Sequence, residues 1–229
     1  KLSYQSMPFP IPKEDEELIK VNATGICGSD MHAYHGHDER RLPPLILGHE
    51  IIGIIENSNK NVVINPLVTC GKCYECQNGI EHLCQTRGLI GMSKPIERHG
   101  GFAEYVSVPK KNLHYTNNTD LITKLALTEP TAVSYHAIQL AIQHSIKSLN
   151  KSNILIIGGG AIGLLAGLIL NSMGIDNYTI TDTNQKRLNV CKKAANCEAK
   201  LPDSKKIKDN SYDVIIDAVG LEKTRHQSI

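Results

Sequence analysis

The sequence predicts an α/β protein of two domains, a β-rich first half followed by a half built on a parallel sheet. Three observations carry that expectation. An apolar run, Ile154-Leu-Ile-Ile157, leads straight into Gly158-Gly159-Gly160-Ala161-Ile162-Gly163 and then into a helical pattern, which is strand, turn and helix. Four thiols crowd into Cys70 to Cys84, C-G-K-C-Y-E-C-Q-N-G-I-E-H-L-C, where no apolar periodicity competes. A chain of 229 residues with 41% hydrophobic residues suits two cores.

Charge adds little. The 25 basic residues are balanced by 23 acidic ones and are scattered apart from short pairs such as Lys205-Lys206, which argues against a nucleic-acid partner or an anionic membrane. The stretch Ile154 to Leu170 has no charged residue, but its glycines divide it into strand and helix, so no membrane span is expected. Clustered thiols point to a reducing compartment, and a cytoplasmic protein is expected.

Taken in order, Pro8, Pro10 and Pro12 punctuate an irregular entry, and Glu17 to Ala23 alternates as a half-buried strand that a turn at Gly25 ends. Directly after it, Cys27-Gly28-Ser29-Asp30-Met31-His32 packs a thiol, a hydroxyl, a carboxylate and an imidazole into six residues. Pro43-Pro44 and an apolar triplet precede Gly48-His49-Glu50, whose imidazole and carboxylate are of the kind that joins Cys27 on one ion. Three protein ligands leave one position open, the arrangement of catalytic zinc. Other histidines, among them His35 and His37 in a polar loop, are assigned no role. His99, beside two glycines, is placed to approach a substrate pocket.

The four cysteines Cys70, Cys73, Cys76 and Cys84 read as a closed zinc site that braces its lobe, with Gly71, Asn78 and Gly79 supplying the turns. Two disulfides and an iron–sulfur cluster are the alternatives. A strand over Asn61 to Pro66 precedes this loop. Glu129 and Pro130 mark a helix entrance, with Pro130 at the first helical position and the helix running over Thr131 to His144. This sets domains at 1–129 and 130–229.

In the second half, Gly158 permits the tight turn, Gly160 lets a pyrophosphate approach, and Gly163 allows the helix Ala161 to Met173 to pack on the strand. Gly174 ends that helix, Tyr178 to Thr181 forms the next strand, and Asp182 closes it. A further strand is expected within Asp213 to Gly220, and Cys191 and Cys197 read as packing thiols on the helical region between. These are the marks expected of a Rossmann doubly wound sheet, with Gly158, Gly160, Ile162, Gly163 and Asp182 as the candidate NAD contacts and Arg187 nearby; a glycine-rich turn in an unrelated βαβ unit is the alternative.

The combination T-G-I-C-G-S-D-x-H, L-G-H-E, C-G-K-C-x-x-C-x7-C and G-G-F-A-E-Y-V at Gly100 to Val106 resembles the zinc-dependent medium-chain alcohol and polyol dehydrogenases. The C-G-S-D form and Leu127-Thr-Glu-Pro130 are most similar to the sorbitol (L-iditol) and threonine dehydrogenase branch. The resemblance implies a GroES-like β-rich catalytic domain followed by a Rossmann domain, two zinc ions (one catalytic, one structural), NAD as coenzyme, and a homodimer or homotetramer. It makes Cys27, His49 and Glu50 the catalytic zinc ligands and Ser29 and His32 a proton relay. It also makes Asp30 the acid that orients His49, and Glu129 a group near the catalytic zinc, as ligand or through water. The implied reaction is hydride transfer from a secondary alcohol, a polyol foremost, to NAD, with threonine as an alternative substrate.

Three departures accompany the likeness. The segment between His49 and Cys70 is about ten residues shorter than in the family, as a trimmed loop or a missing segment. The Rossmann half is expected to be incomplete, since the sequence stops soon after a fourth strand. Ala33 stands where sorbitol-type enzymes carry an aromatic, with Tyr34 one place on. Of other classes, an inactive NAD-binding sensor is opposed by the intact Cys27, Ser29, His32, His49 and Glu50. A zinc-ribbon nucleic-acid binder is opposed by the charge balance. A zinc-free quinone reductase of the same superfamily would lack the ligand clusters.

Overall fold

The computed structural model describes residues 2–117, 122–202 and 210–228, so the Lys205-Lys206 pair lies outside the described residues. By internal contacts the chain divides into two compact units, Lys1–Glu129 and Pro130–Ile229.

The first unit is built on an antiparallel five-stranded sheet ordered β6-β1-β2-β3-β7. Its strands are β1 (Glu16–Gly25), β2 (Glu50–Ile55), β3 (Asn61–Ile64), β6 (Tyr105–Pro109) and β7 (Leu113–Tyr115). A two-stranded ribbon of β4 (Leu67–Val68) and β5 (Gly88–Leu89) lies apart from it. Two short helices, α1 (Gly28–Tyr34) and α2 (Tyr74–Gln77), interrupt the β structure. Alternation along β1 carries Ile19 into a core with Ile51, Val62, Ile64, Ile90 and Val108, each essentially fully buried. Burying each such side chain is worth about 1.5–3 kcal/mol.

After His49 the chain reverses tightly. β2 and β3 pair directly, Ile54 opposite Asn61, and the Ile55 amide donates to the Lys60 carbonyl at 3.0 Å. Asn59 takes the left-handed conformation at φ 52° that so short a reversal demands.

Glu16, at the start of β1, is buried and accepts from the Arg98 guanidinium, the Ser107 hydroxyl at 2.6 Å and the Lys13 amide at 3.2 Å. Burial alone would raise its carboxyl, but these donors outweigh it and hold the pKa at about 2 against an ordinary 4.5. A depressed folded-state pKa gives stability that is present above the unfolded value and is lost as pH falls through the folded one. Unfolding free energy should therefore drop by up to about 3 kcal/mol between pH 5 and pH 2 through this one group. Glu16→Gln should lose most of that amount already at neutral pH and flatten the slope; parallel pH profiles for the two proteins would disprove the assignment.

The second unit is a parallel sheet ordered β10-β9-β8-β11, from β8 (Ile154–Ile157), β9 (Tyr178–Thr181), β10 (Glu198–Lys200) and β11 (Val214–Asp217). Its helices are α3 (Thr128–His144), which begins just before the boundary between the units, α4 (Ala161–Ser172), α5 (Gln185–Ala195) and α6 (Glu222–Gln227). Parallel strands covered on both faces are apolar throughout, as Ile154 to Ile157 are. Ile138, Ile156, Leu170, Ile180 and Leu188 form the centre of this core. Gly174 ends α4 with φ 74°, its amide donating to Asn171 O at 2.9 Å. No helix among the described residues is long and apolar enough to cross a membrane.

Two local expectations need correction. Helix α3 starts at Thr128, so Pro130 lies inside its first turn, where the missing N–H is an orphan anyway. Cys197 falls past the end of α5, where Asn196 turns the chain at φ 47°. Asn78 is in the expected turn as the C-cap of α2, its Nδ2 donating to Tyr74 O at 2.8 Å. His99 Nδ1 accepts the Ile46 amide at 3.3 Å.

Candidate metal and dinucleotide sites

The hydrophobic pairing of β1 with β2 brings two distant stretches of sequence together, because Gly25 at the end of β1 is opposite Glu50 at the start of β2. A side chain at Gly25 would overlap the Glu50 carboxylate, so the glycine makes room for it. Two residues past β1, Cys27 caps α1, and the ligand atoms of Cys27, His49 and Glu50 lie within 4.8 Å of one another. His49 and Glu50 are buried at 4% and 6% exposure.

Asp30 stands behind this trio. It is 3% exposed, accepts the Cys27 amide at 3.0 Å, and places Oδ1 3.6 Å from His49 Nδ1. At that separation both atoms are without a hydrogen-bond partner among the described residues. With Nδ1 turned to the carboxylate, Nε2 is the nitrogen left for a metal. The charges respond to one another. Burial works to lower the His49 pKa, but Asp30 and Cys27 raise it to about 10, while His49 in turn draws the Cys27 thiol below its usual range. Glu50 is pushed up, chiefly by burial.

In the cysteine loop, Cys70, Cys73, Cys76 and Cys84 are free thiols whose ligand atoms also lie within 4.8 Å of one another. The sulfur separations are 3.4 Å for Cys73–Cys76, 3.7 Å for Cys70–Cys84 and 3.9 Å for Cys70–Cys76. A tetrahedron with zinc–sulfur bonds of about 2.3 Å has edges of roughly 3.8 Å, so the sulfurs stand where one ion would hold them. They are unpaired and too close to enclose a multi-iron cluster. Gly71 and Gly79 turn the chain at φ 72° and 73°. Amides of Lys72 and Cys73 draw the Cys70 thiol down to about 6, toward the thiolate a metal needs.

In the second unit, Gly158 adopts φ 101° and its amide donates to Thr181 O at 2.7 Å. A side chain at Gly163 would collide with the Gly158 carbonyl, whereas one at Gly160 would meet nothing within 4 Å. The first glycine makes the turn, the third lets helix touch strand, and the second leaves open space beside the N-terminus of α4, where a pyrophosphate fits. Asp182, 7% exposed, accepts the Gly159 amide at 2.8 Å and the Asn184 amide at 2.7 Å, with Arg187 Nη1 3.6 Å away.

Residues 13–118 match the Alcohol dehydrogenase GroES-like domain family. Over 196 residues the chain is 34% identical to L-galactonate-5-dehydrogenase of Escherichia coli (strain K12), covering 82% of this chain and 54% of that protein. It is 32% identical to L-threonine 3-dehydrogenase of Streptomyces avermitilis, covering 82% and 55%. A putative zinc-binding dehydrogenase from Sinorhizobium meliloti 1021, solved bound to NADP, superposes with TM-score 0.83 at 30% identity, over 96% of this chain and 67% of that one. This chain belongs to the zinc-dependent medium-chain alcohol dehydrogenase family. Its architecture, a GroES-like β-rich unit and a Rossmann-type parallel sheet, is the family's. It spans about half the length of the curated relatives named here.

Within that family setting, the remaining expected residues are placed as follows. Ser29, half-buried, is the second residue of α1, and His32, exposed, is three positions on, so both lie on one helical face. Glu129, half-buried in the first turn of α3, has its carboxyl raised by burial and by the Glu50 and Asp30 carboxylates, against the opposing pull of His49. Ile162, in the first turn of α4, accepts the Ser134 hydroxyl on its carbonyl at 3.0 Å. Arg187 is exposed on α5, its amide bonded to the capping Asn184 side chain at 3.3 Å. The residues missed in the sequence are Asp38 and Arg41. They read as part of a charged loop, yet Arg41 is 5% exposed and its Nη2 donates to Ser29 Oγ at 3.2 Å.

Proposed function

We propose that this protein is an oxidoreductase that transfers a hydride from a secondary alcohol, most simply one in a polyol chain, to NAD. The observation that carries the reading is the convergence of Cys27, His49 and Glu50 beside Ser29. Zinc held by these three supplies a Lewis acid that makes an alcohol hydroxyl acidic, and NAD on the Gly158–Gly163 turn supplies the hydride acceptor. The donor set fits zinc, one thiolate, one imidazole and one carboxylate leaving a position for substrate. The four-cysteine loop fits a second, closed zinc site.

The chain's own groups then handle the proton. Ser29 takes it from the alcohol, and His32, on the solvent side of α1, releases it. Asp30 holds the His49 ring so that one nitrogen faces the site. Glu129 sits by the metal, as ligand or through water. Asp182 receives the adenosine ribose hydroxyls on lone pairs that the two amides leave free, since a carboxylate has about four acceptor sites. A reducing compartment, the cytoplasm, and a homodimer or homotetramer complete the proposal.

The test is a panel of polyols, simple secondary alcohols and L-threonine, offered with NAD to the full-length zinc-loaded protein and followed by NADH absorbance. Threonine is the second reading, favoured by the likeness to L-threonine 3-dehydrogenase. No turnover with any alcohol would overturn the proposal. Ser29→Ala should lower the oxidation rate roughly a hundredfold or more and leave NADH affinity within about twofold. A wild-type rate in that variant would show that the proton leaves by another route.

A further inference from the structure

We propose that Arg41 is a positioning residue for the Ser29 hydroxyl, fixing the direction in which its hydrogen points during proton transfer. The inference rests on the reading of Ser29 as the relay. Its basis is a buried charge that the zinc sites do not explain. The Arg41 side chain is 1% exposed, and a guanidinium so placed is costly unless its donors are used. One is held by the Asp38 carboxylate, and a second, Nη2, reaches Ser29 Oγ at 3.2 Å.

Asp38 is set up as an anchor. Its side chain is 7% exposed, and it accepts Arg40 Nε at 3.0 Å, Arg40 Nη2 at 3.3 Å and Arg41 Nη1, while its carbonyl accepts the Arg41 amide at 3.1 Å. Burial opposes its ionisation, but the Arg40 and Arg41 donors hold the carboxyl at about 2, so the anchor is an anion throughout the working range. Arg41 is thereby held by the shared carboxylate with Nη2 turned to Ser29.

The chemistry of the donor then decides the geometry of the hydroxyl. Guanidinium nitrogens donate and cannot accept, so Ser29 Oγ must be the acceptor on this side. Its own hydrogen is forced away from Arg41. Of the two lone pairs on Oγ, one is taken by Arg41 and the other is left to take up the alcohol's proton, while the hydroxyl's own hydrogen, turned away from Arg41, is the one passed on. Without Arg41 the hydroxyl is free to rotate and to spend its hydrogen on the loop, and a displacement of about 1 Å in a reacting group costs up to about a hundredfold.

A double-mutant cycle in the full-length zinc-loaded protein separates this role from simple bracing of the loop. Arg41→Met should lower kcat about tenfold or more, keep KM for alcohol and NAD within about twofold, and retain both zinc ions. In the Ser29→Ala background the same substitution should change kcat by less than about twofold, because the partner it acts through is gone. Should Arg41→Met fold poorly, Arg41→Lys serves in the same cycle, since lysine keeps the charge but cannot fork between Asp38 and Ser29. Equal fold-losses in the two backgrounds, or loss of the catalytic zinc from the Arg41 variant, would overturn the inference while leaving the dehydrogenase reading intact. An unmutated protein without alcohol-dependent turnover overturns both.

Discussion

Cys27→Ala should abolish turnover, a loss of a thousandfold or more, and reduce bound zinc from two ions to one while the protein stays folded. The reasoning is structural. Cys27, His49 and Glu50 are reached from the ends of β1 and β2, whose pairing is fixed by Ile19, Ile51 and Val62 in a core that does not depend on the trio. Removing a ligand therefore takes away the Lewis acid and leaves the sheet. Cys73→Ser should behave in the opposite way. The loop from Cys70 to Cys84 holds the short helix α2, one 3₁₀ turn and a single buried residue, Cys84, so an ion bound by its four sulfurs would be its main brace. Structural zinc supplies folding energy outright, roughly 10 kcal/mol or more in small zinc domains, and its loss should lower Tm and open the loop to proteolysis. Metal analysis decides between these roles. Two ions retained in Cys27→Ala would remove the catalytic assignment, and an unchanged Tm in Cys73→Ser would remove the structural one.

The sequence was legible where one local rule acted alone. Ile154 to Ile157 and Tyr178 to Thr181 are the observed strands to the residue: the first is apolar on both faces and ends at Gly158, and the second is a β-branched and aromatic run that Asp182 ends. The four-cysteine loop was legible for the same reason, since its spacing admits few other uses. Strand β2 was not, although Glu50-Ile-Ile-Gly-Ile-Ile55 is apolar enough, because Gly53 interrupts the run and Glu50, a candidate ligand, opens it. Strand β10, three residues long with two charged ends, carries no pattern to detect. The hardest case is Arg41. On the page it is one of two arginines in a polar loop, and only the folded chain shows that Asp38 draws one inward and leaves the other at the surface. The trio itself was suggested by residue type, but its meeting point depends on the β1–β2 register, which separates Gly25 from Glu50 by a single pairing. Long-range register is set by burial and not by spacing in sequence.

Coenzyme choice is the prediction with the next largest effect, and it turns on Asp182. The carboxylate stands at the end of β9, buried, with its two oxygens anchored by the Gly159 and Asn184 amides. Anchored in this way it cannot swing aside, so the 2′-phosphate of NADP would be brought against a fixed negative charge, while the ribose hydroxyls of NAD would find an acceptor. Arg187 is the competing feature, 3.6 Å from the same carboxylate, and the Sinorhizobium meliloti relative was solved with NADP. The balance favours Asp182. Its charge is held in the interior, whereas the Arg187 side chain is 61% exposed and its attraction for phosphate is shared with water. Repulsion of a few kcal/mol corresponds to a kcat/KM preference for NAD of roughly two orders of magnitude or more. Asp182→Ser should shrink that preference to about tenfold or less, because the repulsion goes and Arg187 is released from its ion pair to meet the phosphate. Adding Arg187→Ala to Asp182→Ser should then cost NADP turnover but spare NAD. Equal kcat/KM for the two coenzymes in the unmutated protein would overturn this account of Asp182 and leave both zinc sites as they stand.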